Sequence, residues 1–76
     1  MSNKIRDKQV LIRFGERLRQ LRLQKGLTQE ELAYATDVDL SVIHRVETAK
    51  TNATLTTLSA LAAALDTTLS ELFVEV

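Results

Sequence analysis

The chain has 76 residues, enough for one small domain, and 45% of them are hydrophobic, which is too many for a disordered protein. It contains no cysteine, and this excludes disulfides and thiolate metal sites. The net charge is zero, but the first 25 residues carry eight basic and two acidic side chains, and the rest of the chain is acidic. A molecule with its charges separated in this way can present a positive face to nucleic-acid phosphates. The alternative is a solvated, arginine-rich helix whose charges bind nothing specific.

The sequence predicts a soluble, cytoplasmic protein without cofactors. The N-terminus has no apolar signal segment, and the longest apolar run is far below the about 20 residues that cross a bilayer. His44 is the only histidine, so a metal site is not expected. The sequence has no nucleophile–base set and no glycine-rich phosphate loop, so an enzyme is not expected either.

The first predicted helix begins between Ser2 and Asp7 and ends at Lys25, with Gly26 as its C-terminal cap. Gly15 lies inside this helix and is expected to allow another helix to approach closely. The apolar residues that share one face at helical spacing are Val10, Phe14, Leu18 and Leu21.

Residues 29–48 predict two short helices joined by a tight turn. The sequence T-Q-E-E that starts at Thr28 is a capping box for helix 2. Asp37 is expected to take a left-handed conformation in the turn, and Asp39 to cap helix 3. The apolar or small residues expected at the helix–helix contact are Leu32, Ala33, Val38, Ile43 and Val46. The other side of helix 3 is not needed for the core, and a free helix face of mixed polarity suits the DNA major groove.

Two further helices complete the predicted domain. Helix 4 has Thr54 as its N-cap, and helix 5 opens with a second capping box from Thr68 to Glu71. The residues expected to face inward from helix 4 are Leu55, Leu58, Leu61, Ala62 and Leu65. Residues 73–76 alternate in polarity and are compatible with a short strand. The prediction is an all-α, compact five-helix domain over residues 1–76, in which no strand is required.

Three segments, FGERLRQLRLQKGLTQEELA, SVIHRVET and NATLTTLSALAAALDTTLSELF, occur in an order that resembles a known family. Residues 14–73 resemble the helix-turn-helix domain of the Cro and phage-repressor type, also called the xenobiotic-response-element (XRE) type. The resemblance implies a phage-repressor-like DNA-binding fold with helix-turn-helix motif 29–48, and leaves residues 1–11 as a helical extension. It also implies a sequence-specific transcriptional regulator, more often a repressor.

The resemblance assigns DNA contacts to one group of residues. They are Thr28, Gln29, Asp39, Leu40, Ser41, His44, Arg45, Lys50 and Asn52. Gln29, at the N-terminus of helix 2, is expected to contact the DNA backbone, because helix N-termini attract phosphate. Arg45 occupies a base-reading position, from which an arginine can bond guanine O6 and N7. The alternative for Arg45 is a surface ion pair with Asp37 or Glu47.

The resemblance also implies a structural ion pair between Arg22 and Glu47, joining helix 1 to the end of helix 3. Two departures from the family occur in the loop after helix 3. Ala49 and Ala53 stand where glycine and proline are usual. We therefore expect either a strained Ala49 or a different loop path.

The implied partners are double-stranded DNA and a second copy of the chain, because one reading helix touches only a few base pairs. No membrane and no small-molecule effector is expected. The first candidate dimer surface consists of Leu69, Leu72, Phe73, Val74 and Val76, and the second of Ile5, Leu11 and Ile12. The alternative functions are a controller of a restriction-modification operon, an antitoxin, or a protein–protein interaction module on the same fold.

Overall fold

The computed structural model describes residues 7–76, and this range folds into five α-helices without a strand. The helices are α1 (Lys8–Gln24), α2 (Gln29–Thr36), α3 (Leu40–Glu47), α4 (Leu55–Ala64) and α5 (Leu69–Leu72). The prediction of an all-α, five-helix fold is confirmed. Helix α1 packs on α3 and α5, and α2 packs on α3 and α4. None of the helices in residues 7–76 is long and apolar enough to cross a membrane.

Both ends of α1 are capped, and the sequence predicts the cap at the C-terminal end. The Asp7 carboxylate accepts hydrogen bonds from the backbone N–H groups of Gln9 at 2.9 Å and Val10 at 3.3 Å. At the other end Gly26 has a φ of 72°, and the N–H of Leu27 donates to the Arg22 carbonyl at 3.1 Å. This is a Schellman motif, in which a glycine takes the left-handed position at no steric cost. The remainder of the predicted helical extension, residues 1–6, lies outside the described residues.

The core takes apolar side chains from all five helices. Its buried members are Phe14, Leu18, Leu32, Ile43, Val46, Leu61, Ala62, Leu65 and Leu72. Full burial of each large side chain stabilises the fold by roughly 1.5–3 kcal/mol. One prediction for this core is wrong: Leu55 is 69% exposed instead of facing inward. The α4 sequence LTTLSALAAA is apolar on several sides, so spacing alone does not identify its inner face.

Gly15 sets the distance between α1 and α3. A Cβ atom at this position would lie 2.7 Å from the carbonyl oxygen of Val46 and 2.8 Å from that of Glu47. Both oxygens belong to the backbone, which cannot move aside as a side chain can. The predicted role of Gly15 as a point of close approach is confirmed, and its partner is the last turn of α3.

The start of α2 and the turn that follows this helix, before α3, have the predicted geometry at Thr28 and Asp37. The Thr28 hydroxyl accepts from the Glu31 N–H at 3.0 Å, and the Glu31 carboxylate accepts from the Thr28 N–H at 2.8 Å, so the capping box is complete. Asp37 has a φ of 58°, in the left-handed region. The Thr36 hydroxyl donates to the Leu32 carbonyl at 2.8 Å and accepts from the Val38 N–H at 3.2 Å. The angle between the two helices is therefore fixed by local bonds as well as by the core.

The second capping box forms only in part. The Thr68 hydroxyl accepts from the Glu71 N–H at 3.1 Å. The Glu71 carboxylate lies 3.9 Å from the Arg17 guanidinium on α1. The Glu71 carboxylate is thus directed to Arg17 and does not accept a hydrogen bond from the Thr68 N–H, which would complete the capping box.

Residues 73–76 form turns, so the predicted short strand is wrong. The N–H of Val76 donates to the Phe73 carbonyl at 3.0 Å, and the Arg13 Nε donates to the Val76 carbonyl at 2.8 Å. The Phe73 ring packs against the Phe14 ring with their centroids 5.3 Å apart. Contacts with α1 satisfy this segment, and within the described residues no second strand is available to pair with it.

Ala49 takes the left-handed conformation that the sequence raised as a source of strain. Its φ is 61°, and its N–H donates to the Val46 carbonyl at 3.1 Å. The N–H of Lys50 donates to the Arg45 carbonyl at 2.7 Å. This is the Schellman geometry of α1 again, with an alanine at the position that glycine holds there. A left-handed conformation costs a non-glycine residue roughly 1–2 kcal/mol.

We therefore expect Ala49→Gly to stabilise the domain. Relief of the backbone strain exceeds the added entropy of the unfolded chain, so the free energy of unfolding should rise by roughly 0.5–1 kcal/mol. Urea unfolding followed by circular dichroism, at a fixed protein concentration, measures this. The matched control is Ala60→Gly in the middle of α4, which should lower the free energy of unfolding by about 1 kcal/mol. A destabilising effect of Ala49→Gly would contradict the assignment of strain.

Candidate nucleic-acid interface

Helix α3 has one buried side and one exposed side. Ile43 and Val46 are buried in the core, and Val42 is half-buried. The exposed side carries Leu40, Ser41, His44 and Arg45. These four residues recur at helical spacing, so they form one outward face, which we call the reading face. The structure therefore brings four of the residues predicted to contact DNA onto one face.

The chemistry of the reading face is mixed. Leu40 keeps 41% of its surface exposed at the first position of α3. Within residues 7–76 Arg45 forms no ion pair, so the alternative pairing with Asp37 or Glu47 is not adopted. The Arg45 guanidinium can bond a guanine edge, and Leu40 can contact the thymine methyl group. The Ser41 hydroxyl and the His44 imidazole can bond a phosphate or a base edge.

Beneath the reading helix lies a buried ion pair between Arg22 and Glu47. The Arg22 Nε donates to Glu47 Oε2 at 2.7 Å, and the Arg22 Nη2 donates to Glu47 Oε1 at 2.9 Å. The third guanidinium nitrogen, Nη1, donates to the Leu27 carbonyl at 2.8 Å. The Glu47 hydrogen bonds raise the pKa of the Arg22 guanidinium above its usual value, although burial works against this. The predicted contact between Arg22 and Glu47 is present.

Gln29 belongs to the same network, a connection that the sequence does not predict. Its Nε2 donates to Glu47 Oε1 at 3.0 Å. The residue is half-buried at the first position of α2. The three residues are far apart in the chain, and only the packed structure shows that one carboxylate serves both partners.

The remaining predicted contact residues lie at the borders of the reading face. Thr28 is exposed, and its hydroxyl, which accepts the capping bond, can still donate to a phosphate. Asp39 occupies the N-cap position of α3, but its side chain makes no capping bond. Lys50 and Asn52 are exposed in the loop between α3 and α4. The helix caps and this loop thus place polar groups on two sides of the reading face.

Much of the positive charge on α1 is used inside the domain. Arg17 donates to the Glu71 carbonyl at 3.0 Å, and Lys25 lies 3.8 Å from Asp66. Arg13 donates to the carbonyl of Val76, the last residue of the segment 73–76. Exposed ion pairs add little stability. The bonds of Arg13 to Val76 and of Arg17 to Glu71 nevertheless join α1 to the last residues of the chain. Part of the positive charge near the N-terminus is therefore used in contacts within the domain, while Arg19 stays exposed on α1.

The first candidate dimer surface needs one correction. Leu72 is fully buried in the core and cannot contact a second chain. Phe73 and Val74 are 43% and 39% exposed, and Leu69 and Val76 are half-buried. In the second candidate surface Leu11 and Ile12 are half-buried, and Ile5 lies outside the described residues.

The comparisons with known proteins agree with this geometry. The model of the helix-turn-helix family HTH_3 matches residues 18–72. The chain belongs to this family. It is 40% identical over 68 residues to the control protein C.MunI of Mycoplasma sp, covering 88% of this chain and 92% of that protein.

Two solved structures extend the comparison. The restriction-modification controller protein C.AhdI of Aeromonas hydrophila is 46% identical, with a TM-score of 0.81 over 83% of this chain and 96% of that one. The clp gene regulator ClgR of Corynebacterium glutamicum is 26% identical, with a TM-score of 0.82 over 87% of this chain and 70% of that one. HTH_3 proteins are DNA-binding transcriptional regulators rather than enzymes, and this HTH_3 chain is a DNA-binding transcriptional regulator.

The buried ion pair predicts a contrast between single and double substitutions. Arg22→Met alone leaves the Glu47 carboxylate buried without its cation and should lower the free energy of unfolding by roughly 3–5 kcal/mol. The double variant Arg22→Met/Glu47→Met replaces both charges by apolar groups of similar length and should unfold within about 1–2 kcal/mol of the wild type. Urea unfolding of the three proteins provides the test. Equal destabilisation by the single and the double change would mean that the lost packing, and not the stranded charge, is what matters.

Proposed function

We propose that the reading face of α3 enters the DNA major groove and recognises a specific sequence. The observation that supports this most directly is the division of α3 into a core-facing side and an exposed side of Leu40, Ser41, His44 and Arg45. A helix that is held from behind and free in front has the geometry that major-groove recognition requires. Arg45 would bond a guanine edge, and Leu40 would contact a thymine methyl group.

The proposed backbone contacts flank this face. Thr28 and Gln29 stand at the N-terminus of α2, where unpaired N–H groups and the helix dipole favour phosphate. Lys50 and Asn52 lie in the loop on the other side. Asp39, at the start of α3, would meet a base that offers an N–H donor, such as cytosine. In this arrangement the backbone contacts fix the register and the reading face provides the specificity.

The proposed biological role is control of a restriction-modification operon, exerted on DNA in the cytoplasm as a transcriptional repressor. This role is supported by the likeness to C.MunI and C.AhdI, both named as control or controller proteins, over nearly their whole lengths. A general regulator is the second candidate, supported by the comparable likeness in fold to ClgR. An antitoxin or a pure protein–protein interaction module has no comparable observation in its favour.

We further propose that the protein acts as a homodimer on a pseudo-palindromic site. One α3 of eight residues reaches only a few base pairs, and two copies one helical turn apart would double the site. Because Leu72 is buried, the first candidate dimer surface is reduced to four residues. They are Leu69, Phe73, Val74 and Val76. This surface adjoins an apolar cavity of about 120 Å³ that Phe73 lines together with Phe14 and Leu58. Exposed aromatic and aliphatic groups beside an apolar cavity are typical of a surface that a partner covers.

The dimer surface is tested by Val74→Glu. A carboxylate in an apolar interface would remain without a partner, so the variant should sediment as a monomer at concentrations where the wild type is dimeric. Leu23→Glu is the matched control, because Leu23 is 51% exposed on α1 and outside the proposed surface. Analytical ultracentrifugation of the three proteins separates the outcomes. Dimers of Val74→Glu with unchanged affinity would reject this surface.

DNA recognition by Arg45 is tested by selection from random DNA. The wild type should select a pseudo-palindrome, with an affinity that falls as salt rises. Arg45→Ala should lose preference for guanine at one position per half-site, at a cost of roughly 1–3 kcal/mol against the preferred sequence. Arg19→Ala, an exposed arginine on α1, should leave the selected sequence unchanged.

The outcomes of this selection distinguish the candidate functions. The same motif from wild type and Arg45→Ala would remove Arg45 from the reading residues while leaving DNA recognition in place. Failure of the wild type to bind any DNA at low salt would favour the interaction module instead.

A further inference from the structure

The Glu47 carboxylate collects hydrogen bonds from two different helices. Oε2 accepts from the Arg22 Nε at 2.7 Å, and Oε1 accepts both from the Arg22 Nη2 at 2.9 Å and from the Gln29 Nε2 at 3.0 Å. The Glu47 side chain is only 2% exposed. Both oxygens therefore face donors, and the carboxylate is held in one orientation by Arg22 before any DNA arrives.

This arrangement also fixes which end of the Gln29 amide faces Glu47. An inverted amide would place its oxygen against a carboxylate oxygen, and two acceptors at about 3 Å repel each other. The Nε2 group must therefore lie on the carboxylate. An amide nitrogen has two N–H groups, so one is bound to Glu47 and the second is left to donate elsewhere.

A fixed amide has an advantage for binding. Glutamine has several rotamers, and ordering such a side chain at an interface normally costs free energy. Here that ordering already exists in the free protein, at the first position of the helix whose N-terminus favours phosphate.

We propose that Glu47 is a positioning residue for DNA binding: it holds the Gln29 amide so that its free N–H donates to a backbone phosphate. Arg22 acts through Glu47, because it orients and neutralises the carboxylate. The inference rests on the proposed phosphate contact of Gln29 and adds to it the residue that prepares this contact. A glutamine at position 47 should not serve, since its own NH₂ group would face the donors of Arg22 or Gln29.

The test is a double-mutant cycle on DNA affinity, using the site selected by the wild type. Gln29→Ala should weaken binding of the wild-type protein roughly tenfold, as expected for a lost hydrogen bond to a charged group. The double variant Arg22→Met/Glu47→Met should weaken binding by a similar factor. In that background Gln29→Ala should have almost no further effect, because the amide is no longer held. Glu47→Gln serves as the second variant if the double variant folds poorly, and circular dichroism establishes that each protein is folded.

Methylphosphonate substitution locates the contact. Neutralising one phosphate at a time should identify one position per half-site whose loss weakens binding by the wild type but not by Gln29→Ala or Arg22→Met/Glu47→Met. The guanine preference that depends on Arg45 should survive in these variants, because the reading face itself is not changed. Loss of this preference, or a uniform loss across all phosphates, would mean that α3 has moved and would overturn the positioning role.

The free protein gives an independent readout. In NMR spectra the Gln29 side-chain amide should show slow hydrogen exchange compared with that of Gln24, an exposed residue at the end of α1. Glu47→Gln should abolish the difference.

Each negative result has its own meaning. A tenfold effect of Gln29→Ala in both backgrounds would overturn the action of Glu47 through Gln29, while leaving the phosphate contact intact. No effect of Gln29→Ala on wild-type affinity would overturn the contact and the positioning role together. A wild type that selects no DNA site would reject the proposed function itself.

Discussion

The Arg22 guanidinium is the point at which the helix-turn-helix is attached to the rest of the domain. Two of its nitrogens, Nε and Nη2, donate to the carboxylate of Glu47, the last residue of α3. The third, Nη1, donates to the carbonyl of Leu27, the residue before the N-cap of α2. One planar cation on α1 thus fixes both the N-terminus of α2 and the C-terminus of α3. Its fork of donors in fixed directions does what a lysine ammonium, with a single nitrogen, cannot do. A buried ion pair of this kind contributes little net stability compared with apolar packing.

Helix α3 depends on this support because it is too short to persist alone. It has eight residues, and isolated helices of that length are marginal in water. Ile43 and Val46 hold it to the core, and the absence of a side chain at Gly15 lets its last turn rest directly on the α1 backbone. All of these contacts lie on one side or at the C-terminal end. The reading face is consequently held from behind without being covered, and this is the combination that the proposed contact with DNA needs.

Local rules predict much of this fold, and their failures have identifiable causes. The Thr28 capping box and the left-handed Asp37 depend on neighbours within four residues, so the sequence predicts them correctly. Of the predicted α1 stripe, Phe14 and Leu18 are in the core, whereas Val10 and Leu21 are only half-buried. The prediction that Leu55 faces inward is wrong because α4 is apolar on several sides, and tertiary packing determines which side is buried. The strand at 73–76 failed because alternation over four residues is weak, while Arg13 on α1 offers this segment a different partner. The Gln29–Glu47 bond joins residues 18 positions apart in the chain, and no spacing rule covers it.

The net charge of zero does not describe where the charged side chains lie, and many of the basic ones are bound within the domain. Three of the five basic residues of α1 have partners within the domain: Arg13 and Arg17 donate to carbonyls near the end of the chain, and Arg22 neutralises Glu47, but only Arg22 is buried. Among the residues that the structure describes, Arg45 on the reading face and Lys50 in the adjoining loop are exposed and form no ion pair. Counterion release grows with the number of phosphates that cations neutralise, so phosphate contacts by these two cations would make the affinity fall as salt rises. Neutral donors in fixed positions then become more important, since a preset N–H at a phosphate needs no net positive charge. The proposed contact of Gln29 would therefore add to DNA binding through fixed geometry, beside whatever Arg45 and Lys50 add through charge.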